Sequence, residues 1–204
     1  MARIRAIQEK LETKQYQLKE ERYPFFHRVV TLPRVHYQYG VLGDSIVFGI
    51  NIKEAIVMSF PGATLERLSH DDILEKFLSR SVNGIAIVAG TNNLVDRNGE
   101  VGAVNEIADR METLVQKYQR AGFRVAIVKV PGRVGFKDEI KKLNRKYEKI
   151  AKKTLANFHA PRRFHVGNEG GELTGGLSSD GLHPNPEYLQ KYSEDIYDAL
   201  KPLC

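Results

Sequence analysis

From residue 38 onwards the sequence predicts an α/β fold in which a mainly parallel sheet is covered by helices on both faces. Three observations predict it. Short apolar runs alternate with stretches of helical periodicity. Three of the runs end in polar, Gly-containing loops. No repeat of fixed period and no low-complexity stretch points to another architecture.

The elements follow in order. Residues 1–36 form a separate N-terminal region, ahead of a domain spanning 37–204. Ile4, Ile7, Leu11 and Leu18 lie at coiled-coil-like 3-4 spacing on a predicted helix. Lys14 breaks the seam, and two heptads are too few to establish a coiled coil, although the segment permits a homo-oligomer. Pro24 and Pro33 bracket an irregular connector. Residues 39–42 read as a strand ending in Gly43-Asp44-Ser45, and 55–60 as a second strand ending in Pro61-Gly62. Residues 64–80 read as a helix with Leu65, Leu68, Ile73, Leu74 and Leu78 on one side. A buried strand over 84–89 ends at Gly90, before Thr91-Asn92-Asn93. Residues 101–121 are helical through Val104, Ile107, Met111, Leu114 and Tyr118. A strand over 124–130 is stopped by Pro131-Gly132, and residues 137–158 form the next helix. Residues 163–166 suit a last short strand, giving five in all. The closing helix covers 186–201, with Asn185 as N-cap and Pro186 at its first position.

Composition narrows the class. The chain has 204 residues, 42% hydrophobic and 27% charged, which is globular composition. No apolar run approaches the roughly 20 residues that span a bilayer. The first thirty residues are basic and polar, so no secretory signal is expected there. The only cysteine is Cys204, and no Asn-x-Ser/Thr sequon occurs. A reducing, cytoplasmic or otherwise intracellular setting is therefore expected. No His/Cys/Asp/Glu set has metal-ligand spacing, and no cofactor is expected.

Open parallel sheets place their sites at the carboxyl ends of the strands. The loops after residues 42, 60 and 89, and the polar loop 178–185, can share that rim. Ser45 follows its strand through a tight turn. Read alone it caps the next helix, but its hydroxyl becomes a nucleophile if a base removes the proton. His183 can be that base, whereas the other five histidines read as surface residues. Asp180, three residues earlier, can hold the imidazole. The Ser45 and Gly62 backbone N–H groups and the Asn92 amide can face a developing oxyanion. Asp44 reads as support for the turn.

These motifs together resemble the SGNH (GDSL-like) hydrolase superfamily over roughly residues 38–200. Gly43-Asp44-Ser45 is similar to its first block, Gly62 to the second, Gly90-Thr91-Asn92-Asn93 to the third and Asp180-Gly181-Leu182-His183 to the fifth. The resemblance implies a flavodoxin-like three-layer α/β/α sandwich and metal-free ester hydrolysis. It also implies a Ser45–His183–Asp180 triad, with Ser45, Gly62 and Asn92 forming the oxyanion hole. Ile46 stands where the family usually has Leu, and Asn93 where it usually has Asp, which puts support of that loop in question. The short spacing most resembles the acetylhydrolases of platelet-activating-factor type. The 60–63 stretch is also similar to esterase domains in the first reading frame of some LINE-type retrotransposons. A small acyl ester or lipid is the implied substrate, with a short acyl group such as acetyl.

The net charge of +6 is uneven, since residues 137–163 alone carry +7. At about 100° per residue, Lys141, Lys142, Arg145, Lys146, Lys149, Lys152 and Lys153 share one helix face. Ile140, Leu143, Tyr147, Ile150, Ala151, Leu155 and Phe158 share the other. The basic face is either plain solvated surface or a strip that binds nucleic-acid phosphates or an anionic membrane. A binding or assembly module with accessory or lost esterase activity is therefore the alternative function.

Overall fold

The computed structural model describes residues 28–30, 37–80, 82–95, 102–133, 135–161 and 183–203. Its centre is a six-stranded sheet: β1 (Arg28–Val30), β2 (Tyr39–Gly43), β3 (Ala55–Ser59), β4 (Gly84–Val88), β5 (Arg124–Val128) and β6 (Asn157–His159). The order across the sheet is β1-β3-β2-β4-β5-β6. Strands β2 to β6 are parallel, and β1 pairs antiparallel with β3. Five parallel strands in this order are the doubly wound arrangement, whose switch point lies where β2 gives on to β4. The loops after those two strands are Gly43-Asp44-Ser45 and Gly90-Thr91-Asn92.

Helices flank the sheet: α1 (Leu65–Leu68), α2 (Asp71–Leu78), α3 (Thr91–Leu94), α4 (Val104–Arg120), α5 (Lys137–Thr154) and α6 (Pro186–Leu200). Every residue of β2, β3 and β4 is buried, as expected of strands covered on both faces. Helix α4 turns Ile107, Met111, Leu114, Val115 and Tyr118 inward. Each such large side chain contributes roughly 1.5–3 kcal/mol by leaving water. The Asn185 carboxamide accepts the Tyr188 N–H at 3.0 Å and Pro186 opens α6, as the cap pattern predicts.

The structure departs from the sequence expectations in three elements. The single helix expected over 64–80 is two, broken where the Ser69 hydroxyl donates to the Glu66 carbonyl at 2.7 Å. The break resets the helical phase, so Phe77 is fully buried and Leu78 is 51% exposed. The helix expected over 137–158 stops at Thr154, because Leu155 adopts a left-handed φ of 58°. Leu155 consequently leaves the dry face and is 91% exposed. Phe158 belongs to β6 rather than to the helix, pairing with Ile127. Finally, Arg28–Val30, within the expected irregular connector, is a strand. The strand expected over 163–166 and the N-terminal helix lie outside the described residues.

Candidate active site

Asp44 organises the rim. It is fully buried at the end of β2, and its two carboxylate oxygens accept the Ile46 N–H at 2.9 Å and the Thr91 hydroxyl at 3.0 Å. Its carbonyl accepts the Ser59 hydroxyl at 2.9 Å. One residue thus joins the ends of β2, β3 and β4. It also caps the 3₁₀ turn Ser45–Val47, the turn-supporting role expected of it. Burial pushes its carboxyl up to about 6, against the lowering effects of the Ile46 N–H, the Thr91 hydroxyl, His183 and Arg133.

Ser45 stands at the first position of that turn, half-buried. Together with His183, Phe48 and Pro61 it lines one open pocket. The structure therefore brings Ser45 and His183 to the same cleft, although they are 138 positions apart in the sequence. The Ser45 hydroxyl makes no hydrogen bond to a described residue. Apo catalytic contacts are often open and tighten only when substrate binds. Asp180 lies outside the described residues.

Gly62 has a φ of +72°, and a Cβ there would meet nothing within 4 Å. The left-handed turn suits glycine, and it leaves the Gly62 N–H without a partner among the described residues, at an exposed position beside Pro61. Asn92, in α3, is half-buried and donates from Nδ2 to the Ala63 carbonyl at 3.0 Å. An amide nitrogen carries two protons, so this bond leaves one for a ligand and holds Asn92 against the residue next to Gly62. The Asn93 amide completes the join. It accepts the Leu65 N–H at 2.9 Å and donates to the Glu66 carboxylate at 2.9 Å.

Three further residues have roles that the sequence did not assign. Thr91 tethers Asp44. Arg133, on the loop after β5, donates to the Thr91 carbonyl at 3.1 Å and lies 5.3 Å over the Phe136 ring. Asn144 bonds both the N–H and the C=O of Val130, at 2.9 and 3.0 Å, fixing the start of that loop. The Pro131-Gly132 stop was the available signal, since it marks a fourth strand-end loop on this rim. Phe48, 45% exposed beside Ser45, was likewise not singled out. Among the described residues no group of three His, Cys, Asp or Glu is placed to hold a metal ion.

The basic residues expected on one face of α5 do share it. Lys141, Lys142, Arg145, Lys149, Lys152 and Lys153 are exposed and Lys146 is half-buried. Lys152 pairs with Glu148 at 2.8 Å and Lys153 with Glu112 at 2.7 Å. The other five have no carboxylate within 4.0 Å among the described residues. The opposite face, Ile140, Leu143, Tyr147, Ile150 and Ala151, is buried in the core.

No protein-family model matches the chain, and no curated protein matches it. Solved structures do. A GDSL-like lipase from Bacteroides thetaiotaomicron superposes with a TM-score of 0.67 at 20% identity, covering 81% of this chain and 88% of that one. Est24, a carbohydrate acetylesterase from Sinorhizobium meliloti, gives 0.63 at 18%, covering 82% and 100%. The esterase EstA from a Pseudoalteromonas species, solved with monoethylphosphonate as inhibitor, gives 0.63 at 16%, covering 80% and 96%. The fold of this chain, five parallel strands flanked by helices, is that of solved GDSL-like lipases, acylhydrolases and esterases.

Proposed function

We propose that the chain is a serine esterase that hydrolyses short-chain, acetyl-type esters. The observation that carries the reading is the pocket shared by Ser45 and His183, whose wall includes Pro61, the residue before Gly62. Ser45 Oγ attacks the acyl carbonyl while His183 takes its proton. Asp180, in the family position, holds the imidazole and stabilises its charged form. Negative charge develops on the carbonyl oxygen, and the N–H groups of Ser45 and Gly62 with the Asn92 amide receive it. Collapse breaks the bond to the alcohol oxygen, which His183 protonates as it leaves. Water, deprotonated by His183, then attacks the acyl-serine. The acid departs and the proton returns to Ser45. Phe48 and Pro61 give the cleft an apolar wall suited to the acyl methyl.

The test compares the native chain with Ser45→Ala, using a fluorophosphonate probe and p-nitrophenyl esters of increasing acyl length. Labelling and turnover are expected in the native chain alone, with acetyl the best substrate and the variant's circular dichroism unchanged. Turnover surviving in a folded Ser45→Ala protein overturns the assignment.

A second reading concerns partners. Five exposed or half-buried cations on α5 with no carboxylate within 4.0 Å among the described residues favour an anionic polymer such as a nucleic-acid backbone. A membrane-inserting helix needs an apolar face free to enter lipid, and that of α5 is spent on the core. Esterase and strip are compatible in one protein.

A further inference from the structure

We infer that Asn93 is a positioning residue for the oxyanion hole, and that Glu66 is why this chain carries an amide there. The inference rests on the serine-esterase reading.

Two of the three proposed oxyanion donors come from segments other than the Ser45 turn. Gly62 belongs to the loop after β3, and Asn92 belongs to α3 after β4. Their separation depends on what ties the segments together. Three hydrogen bonds do so, all from adjacent residues of α3 into residues 63–66. Asn92 Nδ2 donates to the Ala63 carbonyl at 3.0 Å. Asn93 Oδ1 accepts the Leu65 N–H at 2.9 Å, and Asn93 Nδ2 donates to Glu66 Oε2 at 2.9 Å. The Asn93 amide fits only one way round, because a flip would set its oxygen against a carboxylate and its NH₂ against an N–H donor.

Glu66 is itself held. Its other oxygen, Oε1, lies 2.6 Å from the Arg110 guanidinium on α4, and Arg110 reaches Glu106 at 3.8 Å. Partial burial pushes the Glu66 carboxyl up. Its own N–H, Asn93, Thr64 and Arg110 outweigh this, so the net shift is downward and the group is a carboxylate at neutral pH.

The consequence concerns the residue that the family usually has here. Aspartate at position 93 would still accept the Leu65 N–H. Its second oxygen, however, would face the Glu66 carboxylate at hydrogen-bond distance with no proton between them. Two carboxylates so placed repel unless one is protonated. The contact opens, α3 loses one of its three ties to residues 63–66, and Asn92 drifts from Gly62. Restoring the family residue therefore harms this chain. Replacing Glu66 with Gln returns a donor, since the Gln amide can donate to the new carboxylate.

The experiment measures kcat and KM on p-nitrophenyl acetate for the native chain, Asn93→Asp and the double variant Asn93→Asp/Glu66→Gln, with circular dichroism on each. Asn93→Asp is expected to lower kcat about tenfold with KM within about twofold, as loss of alignment rather than of a whole donor should. The double variant is expected to recover kcat to within about threefold of the native value. A merely structural substitution would not be rescued by removing the Glu66 charge. An Asn93→Asp protein as active as the native chain overturns the inference while leaving the esterase reading intact. So does a folded double variant no better than the single. A native chain without turnover removes the esterase reading, and the inference falls with it.

Discussion

Asp44 shows what one residue can be asked to do beside a proposed nucleophile. Both of its carboxylate oxygens are committed to the turn and to Thr91, so its charge is fixed in place beneath Ser45 and within the field of His183. The stability cost has a definite sign. Burial raises the Asp44 pKa from 3.8 to about 6, so the folded state holds its proton more tightly than the unfolded chain does. The stabilisation is complete below about pH 4 and is lost as pH rises through 6. By linkage the loss is on the order of 3 kcal/mol. Asp44→Asn removes the titration while keeping an acceptor for the Ile46 N–H. Urea unfolding of both proteins between pH 4 and 7 should show native stability falling relative to the variant by about that amount. Parallel curves would assign the buried proton elsewhere.

At the scale of elements, the site depends on how β4 meets α5. Gly90 ends the strand with a φ of +117°, and a Cβ there would strike the Tyr147 hydroxyl, which donates to the Ala89 carbonyl at 3.1 Å. Gly90→Ala should therefore destabilise by about 2–4 kcal/mol, from backbone strain and a displaced buried hydroxyl. Adding Tyr147→Phe makes room, so the double variant's urea midpoint should lie above that of Gly90→Ala alone. No recovery would place the whole cost in the backbone. Elements like these were legible where burial is periodic. Strands β2 to β5 and helices α4 and α6 follow from apolar spacing and from caps at Asn185 and Pro186. The break at Ser69 and the stop at Leu155 were not legible. The first rests on a serine bonding back to the Glu66 carbonyl. The second rests on a leucine in a conformation usually left to glycine. Strand β6 is three residues long and continues the apolar run of α5, so periodicity had no boundary to find.

At the scale of the whole molecule, the rim was readable because each strand end is punctuated by Gly or Pro, and because Ser45, Gly62, Asn92 and His183 each follow a recognisable block. What couples those blocks was not readable. The bonds between Thr91 and Asp44, Arg133 and Thr91, and Asn93 and Glu66 join residues 27 or more positions apart that no local pattern relates. The charge distribution was visible in the sequence, and the structure adds which cations have acidic partners. Lys141, Lys142, Arg145, Lys146 and Lys149 span nine residues of α5, eight steps or about 12 Å of helix at 1.5 Å per residue. Their successive i, i+4 steps set charges about 6 Å apart along one edge of the molecule, a row that a phosphate backbone can follow. Large aromatic side chains are absent from the row, so binding by charge alone, without base preference, is expected. If all five contact phosphates of a single strand, log Kobs should fall with log salt at a slope of about −3.5. Fluorescence anisotropy with a labelled single-stranded oligonucleotide between 50 and 200 mM salt measures it. Lys142→Ala should reduce that slope by about 0.7 while leaving esterase turnover unchanged, because Lys142 lies outside the cleft. A shallow slope with no effect of Lys142→Ala would make the strip solvated surface, and retention on anionic vesicles but not on the oligonucleotide would make it a membrane-facing edge instead.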